Sequence, residues 1–434
     1  MVKQTINAFF GAVLGCVIAA APAAAELLQF VQAAPAPFGQ SASVVVSPDG
    51  AHVYVAAGSA HALVAYSRDQ ASGELTEIQT VTGITGLLYA GSITISPDGL
   101  SVYSTSPGDI GGTVESAVVV FSRNIATGEL TYVEAEFEGV NGVQGLEAAH
   151  LATVSPDGKH VYVAAPGDAG GTPPIPGRVS LFERDATTGE LTFINVVEDG
   201  AAGVEGLGGV LGVVISPDGT QAYTAAYGDD AVAVFDRDVV TGDLSFVEVH
   251  VDGISGVDGL DGANELAIST DGANVYAVSL KRSPTSSDGE NALVTFSRDT
   301  TTGALTYTDV QRDGVAGVEG LSTPSSVVLD PSDRLIFVAG FNANALVIFT
   351  RDGVTGLPTY FETELDGLND VDGLGNARWA ELSPDGSHIY VAGLNDAVMA
   401  VFALPVSATI PVIGLWGLVC LGGLLASMAV FVRR

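Results

Sequence analysis

Apolar and polar residues alternate along this chain in short runs that keep returning. His52-Val-Tyr-Val-Ala-Ala57 and His160-Val-Tyr-Val-Ala-Ala165 are two such runs, and each follows a tight-turn signal. The signal recurs as Ser47-Pro-Asp-Gly, Ser96-Pro-Asp-Gly, Ser155-Pro-Asp-Gly, Ser216-Pro-Asp-Gly, Ser269-Thr-Asp-Gly, Asp330-Pro-Ser-Asp and Ser383-Pro-Asp-Gly, at intervals of 49, 59, 61, 53, 61 and 53 residues. Proline at the second turn position presets φ, and glycine at the fourth suits a type I turn. The run before each turn, such as Val210 to Ile215, supplies one strand and the run after it a second. A third, such as Ala231-Val-Ala-Val-Phe235, ends at an Arg-Asp turn, and a fourth begins at Thr-Gly-Glu-Leu, as in Thr188-Gly-Glu-Leu-Thr-Phe-Ile194. Period-two alternation between regular turn signals predicts four short strands per copy, in seven copies.

Four antiparallel strands repeated seven times predict an all-β chain folded as a seven-bladed β-propeller of four-stranded blades. The period is too long for WD-type blades, whose Gly-His and Trp-Asp signals are absent. The turn before the fourth strand occurs in six copies only: Ser72-Gly73, Thr127-Gly128, Thr188-Gly189, Thr241-Gly242, Thr302-Gly303 and Thr355-Gly356. The seventh copy stops after residues 398–404, one strand short, while Glu26-Leu-Leu-Gln-Phe-Val31 matches the fourth-strand pattern. Residues 26–33 are therefore predicted to be the outer strand of the last blade, closing the ring and removing its edges. Strand direction puts the Ser-Pro-Asp-Gly and Thr-Gly-Glu-Leu turns on one face. The other face takes the long insertions 107–116, 166–178 and 280–291, and the acidic, Gly-rich linkers 138–146, 199–207, 252–260, 313–321 and 366–374. Loops on a rigid scaffold are where function usually sits, so this second face is the candidate.

The ends read differently. Residues 1–25 have the form of a secretory signal, with Lys3 as the positive start, an apolar core over 8–21 and Ala23-Ala24-Ala25 as the cleavage site. Val13-Leu14-Gly15-Cys16 is also a lipoprotein-box arrangement, although the apolar run continues past the cysteine. Residues 410–432 are about long enough to cross a bilayer, and Arg433-Arg434 follow. The opening Ile410-Pro411 with Trp416-Gly417 resembles the bacterial IPTL-type C-terminal sorting tail, except that Gly414-Leu415 replaces the usual Ser-Glu. A plain tail anchor is the alternative. The expected organisation is a signal over 1–25, the propeller over 26–405, and a tail with one C-terminal transmembrane helix over 406–434. Such a chain is exported across the bacterial inner membrane to the cell envelope or surface, with the two arginines left in the cytoplasm.

Composition sharpens this picture. The chain of 434 residues has 16 Lys plus Arg against 50 Asp plus Glu, a formal charge of −34. Lys3, Arg433 and Arg434 lie in the ends and no acidic residue does, so 13 basic residues and a charge of −37 remain for the propeller. Charge of this sign excludes a general nucleic-acid binder and opposes docking on an anionic membrane face. Cys16 and Cys420, the only cysteines, also lie in the ends, so the exported domain has no disulfide although its compartment permits one. No Gly-x-Ser-x-Gly elbow, phosphate loop or His-Glu-x-x-His pattern occurs.

The innermost strand of each blade begins on the candidate face, beside the central channel. The residue five before each turn serine gives a ring of Ala42, Gly91, His150, Leu211, Asn264, Ser325 and Arg378. His150 and Arg378 carry chemistry, with Glu147, Asp261 and Glu265 near them in sequence. A His and an Arg at a channel mouth can polarise a carbonyl or hold a carboxylate. The plainer alternative pairs Arg378 with an acidic rim residue and packs His150 against the next blade. His150, Arg378 and Glu147 are the candidate catalytic residues; Asn264, Ser325, Glu265 and Tyr227 are candidate ligand-binding residues. Asp252, Asp258 and Asp261 bunch among glycines and suggest a divalent cation such as calcium, although their spacing matches neither an EF-hand loop nor a Gly-Gly-x-Gly-x-Asp repeat.

The copy consensus, Ser-Pro-Asp-Gly, Val-Tyr-Val-Ala, Val-x-Val-Phe-x-Arg-Asp and Thr-Gly-Glu-Leu-Thr, resembles the seven-bladed lactonase family over roughly residues 26–404. That family groups 6-phosphogluconolactonase-type enzymes with fungal muconate-lactonising propellers. The resemblance implies a channel-mouth His, two Arg and a Glu around a lactone. His150 stands at the His position, whereas Leu211 and Ser325 stand at the two Arg positions and Tyr227 at the Glu position. Those departures, and an acidic face, disfavour a phosphorylated lactone. The expectation is a binding or interaction module for a small ligand or an envelope partner, attached to the membrane by its C-terminal helix. The alternative is a hydrolase of a non-phosphorylated lactone with a remodelled site.

Overall fold

The computed structural model describes residues 27–36, 42–108, 116–168, 170, 174–280 and 291–404. The signal segment, Cys16 and the 406–434 tail lie outside the described residues, and among the described residues no helix is long and apolar enough to cross a membrane.

Twenty-eight strands, labelled in chain order, form seven four-stranded antiparallel sheets. The inner strands are β2 (Ala42–Val46), β6 (Ile93–Ile95), β10 (Leu151–Val154), β14 (Val210–Ile215), β18 (Ala263–Ile268), β22 (Pro324–Leu329) and β26 (Ala377–Leu382). Each packs beside the next around a central axis, and β26 returns to β2. The core lies between neighbouring sheets. Tyr103, Val118 and Val120 of one blade, for instance, pack with Val161, Val163 and Phe182 of the next. Second strands are sandwiched between blades on both faces, so all six residues of β11 (His160–Ala165) are buried. Outer strands keep one wet face, as in β5 (Leu75–Thr82), where Thr76 and Glu77 are exposed.

The ring closes through the chain's beginning. β1 (Gln29–Pro35) runs antiparallel to β28 (Val398–Ala403), with Phe30 opposite Phe402, Gln32 opposite Val401, and Val31 as the extra residue of a bulge. The strand begins and ends later than the predicted 26–33, but the segment before it already follows the repeat. The Leu27 N–H donates to the Glu362 carboxylate at 3.0 Å, just as Leu75 donates to Gln32, Leu130 to Gln79 and Leu305 to Glu248.

Blades are joined on the turn face by one recurring latch. At the end of the third strand in six of the seven blades an arginine reaches into the preceding blade. Arg123 Nε donates to the Tyr54 hydroxyl at 2.7 Å, Nη1 to the Gly99 carbonyl at 3.1 Å, and Nη2 to Asp49 at 2.8 Å and His52 Nδ1 at 2.7 Å. Tyr54 in turn donates to the Gly128 carbonyl at 2.9 Å. Arg184, Arg237, Arg298 and Arg351 repeat the arrangement on Tyr103, Tyr162, Tyr223 and Tyr276. Arg68 closes it onto Tyr390 and Asp385 of the last blade. A guanidinium has no acceptor, so His52 accepts at Nδ1 and is neutral. Only between the sixth and seventh blades is the pair missing, where Phe337 stands for the tyrosine and Leu404 for the arginine. Both sit in an apolar cluster with Leu27, Leu28 and Phe402.

Candidate functional site

The seven positions read from the sequence as a ring are neighbours around the axis. His150 Nδ1 bonds to the Leu211 carbonyl at 3.0 Å. Asn264 Nδ2 donates to the Ser325 carbonyl at 3.3 Å, and Ser325 Oγ donates to the Arg378 carbonyl at 2.8 Å. In four blades this position is the extra residue of a β-bulge: Leu211, Asn264, Ser325 and Arg378 fall where the inner strand slips against its partner. In the third blade the His150 N–H donates to the Ala164 carbonyl at 2.8 Å, while Leu151 is the residue paired with Ala164. A bulge re-aims the side chain it inserts, and so these four blades each turn one side chain at this position toward the channel mouth, whereas Ala42 of the first blade pairs in regular register with Ala57.

The seven inner strands and their ring positions contain four ionisable side chains: His150, Glu265, Arg378 and Glu381. All four lie on or beside the innermost strands, deep within the disc yet partly exposed. Burial and the charge of Arg378 pull the His150 pKa down to about 4, against the hydrogen bond to Leu211. Because a carbonyl can only accept, Nδ1 carries the proton, and Nε2 presents a lone pair with no partner among the described residues. Burial pushes the Glu265 carboxyl well above its usual range. The Val327 N–H at 3.3 Å and the charge of Arg378 oppose that rise, and Glu381 adds to it. Burial alone pushes Glu381 up to about 8. Arg378 is pushed down by burial and held up by Glu265, and its guanidinium makes no hydrogen bond or ion pair among the described residues.

Arg378 is therefore not tied to the acidic rim, and His150 contacts the next blade through one nitrogen only. Asn264 and Ser325 are buried, and their side chains serve the ring itself. Tyr227 stands just beyond the second strand of the fourth blade, where its N–H donates to the Gly209 carbonyl at 3.0 Å. Glu147 lies outside the cluster: Arg178 binds it at 2.9 Å and also holds Glu198. Glu381 was missed by the sequence reading, although its signal was a carboxylate inside an inner strand, three residues after a ring position.

Each of the three suggested metal ligands, Asp252, Asp258 and Asp261, already has a partner within the protein. Asp252 accepts the Gly259 and Leu260 N–H groups and so shapes its own linker, while Asp258 pairs with Arg312 at 2.7 Å. The described carboxylates that do converge are Asp366, Asp372 and Asp396, whose oxygens lie within 4.8 Å of one another. Asp366 and Asp396 there accept backbone N–H groups of Gly373, Leu374 and Gly375.

The fold and this enclosed acid–base cluster define a closed seven-bladed propeller with a channel site. The family described as Lactonase, 7-bladed beta-propeller, matches residues 12–144, 45–194 and 134–367, and the chain belongs to that family. Its fold is similar to that of the periplasmic gluconolactonase PpgL of Pseudomonas aeruginosa, at 20% identity and a TM-score of 0.58, covering 84% of this chain and 88% of that one. A protein from Bacteroides uniformis, described as a candidate 6-phosphogluconolactonase, has 20% identity and a TM-score of 0.57 over 74% of this chain and 84% of its own. The hydrazine synthase structure from Kuenenia stuttgartiensis is as similar in fold, at 18% identity and a TM-score of 0.58 over 86% of this chain and 97% of that one. At these identities the likeness concerns the fold. Comparison with curated protein sequences finds no match.

Proposed function

We propose that this chain is an exported, envelope-associated member of the lactonase family that binds a small ligand through its channel-mouth face. The observation that supports it is a set of unengaged groups. The guanidinium of Arg378, Nε2 of His150 and the carboxyl of Glu381 face one channel with no protein partner among the described residues. Enclosed polar groups are normally satisfied, and groups that are not invite a ligand. The rest of the channel wall is small or aliphatic, as in β2, β14 and β22.

His150 favours one second reading, hydrolysis of a non-phosphorylated lactone. A neutral imidazole with a free Nε2 can take a proton from water as the oxygen attacks the lactone carbonyl, and Glu381 in its acid form can protonate the departing ring oxygen. Turnover of simple lactones by the purified chain, lost in His150→Ala, decides for the hydrolase. Ligand-dependent melting shifts without turnover decide for the binding module.

A further inference from the structure

The enclosed arginines among the described residues are heavily engaged, with one exception. Each of the six latch arginines donates to a tyrosine, a carbonyl and a turn side chain, and Arg178 and Arg312 are ion-paired. Arg378 is the one enclosed arginine among the described residues whose guanidinium has no partner. Glu265 acts on it electrostatically but is not bonded to it, and an enclosed guanidinium with no bonded acceptor is unfavourable unless an anion completes it; a planar carboxylate matches its fork.

The neighbourhood sets the charge of that anion. β26 packs against β22 and β2, and neither strand contributes an ionisable side chain. The groups that remain in the channel are Glu381 on the same strand, Glu265 on β18 and His150 at β10. His150 is neutral, and burial favours the acid forms of both glutamates. Arg378 is thus the one permanent cation on the inner strands, inside a strongly acidic domain. One guanidinium neutralises one charge, so a phosphate dianion would remain uncompensated there.

Building on the channel-binding reading, we propose that the inner channel takes a small hydroxy-acid monoanion, with its carboxylate on Arg378 and its hydroxyls on Glu265, Glu381 and Nε2 of His150. Ionisation of Glu381 places a second negative charge in the same channel, so binding weakens as pH rises from 7 to 9.

Titration calorimetry on the full chain with lactate, gluconate, gluconamide and inorganic phosphate tests this. A hydroxy-acid carboxylate is expected to bind at pH 7 and to weaken tenfold or more in Arg378→Gln, with part of the affinity kept in Arg378→Lys. Its affinity is also expected to fall severalfold by pH 9. Gluconamide binding as well as gluconate, or phosphate binding better, would overturn the ligand class and leave the channel-binding reading standing. No binding by any probe, together with no effect of lactones, would remove both. Should Arg378→Gln not fold, an affinity of the wild-type chain that is flat between pH 6 and 9 overturns the proposal by itself.

Discussion

At the scale of single residues, two arginine environments of opposite character coexist. Latch arginines such as Arg184 are buried yet saturated, with Tyr103 at 2.8 Å, the Gly158 carbonyl at 3.1 Å and Asp98 at 2.8 Å. Arg184→Ala takes one partner from a buried tyrosine hydroxyl, which keeps the Gly189 carbonyl, and one from a partly exposed carboxylate, which keeps Ser96 and Leu100. It is expected to lower unfolding free energy by about 2–3 kcal/mol in urea titrations. Arg378, by contrast, has donors to spare. Glu381 allows a test with a definite sign. Its folded-state pKa is raised by burial to about 8, so it penalises folding increasingly as pH rises from the unfolded value toward 8. Glu381→Gln is therefore expected to match the wild-type melting temperature near pH 4 and to exceed it by a few degrees at pH 9.

At the scale of elements, the two devices that matter are the bulge and the closing strand. The bulges at Leu211, Asn264, Ser325 and Arg378 explain why one sequence position, five before the turn, returns to the channel mouth in those four blades whatever residue occupies it. β1 protects the edge of β28. Phe30 meets the ring of Phe402 edge-on, with centroids 5.6 Å apart. Phe30→Ala is expected to cost roughly 2–4 kcal/mol and, by loosening the only outer strand drawn from a distant part of the sequence, to promote aggregation seen by light scattering. The junction of blades six and seven offers a converse test. Phe337→Tyr buries a hydroxyl opposite Leu404, where no guanidinium waits, and is expected to destabilise by about 1–3 kcal/mol.

At the scale of the whole molecule, pH acts through the latches. Burial would raise the Asp49 pKa, but the Ser47 hydroxyl, Arg123 and the Ala51 N–H more than offset it and bring it to about 2. Asp98, Asp157, Asp218, Asp271 and Asp385 are lowered in the same way. Their stabilisation is complete above the unfolded carboxylate range and is lost as pH falls through the folded values. His52, His160 and His388 are lowered by burial and the facing arginines, so the unfolded chain protonates first and stability begins to fall below about pH 6.5. Thermal melts are therefore expected to show acid destabilisation in two stages, the histidine stage above the carboxylate stage. Substituting all three histidines by the glutamine or asparagine found at Gln221 and Asn274 is expected to shrink the upper stage to the part that His150, lowered by burial to about 4, contributes.

What the amino-acid order determined by itself was everything that depends on local period: seven copies, four strands in each, the two faces, the ring positions, and closure of the last blade by the first residues. Alternation and turn residues act within a few positions, so they are legible without a structure. Which groups remain unengaged was decided only by tertiary packing. The Arg123–Tyr54 bond joins residues 69 apart and the Arg68–Tyr390 bond residues 322 apart, and these contacts account for the latch arginines while leaving Arg378 free. The tautomer of His150 depends on a carbonyl one blade away, and the raised carboxyl of Glu381 on enclosure by strands from the whole ring. Such properties arise from the approach of distant segments and the exclusion of water between them, which no window along the chain contains.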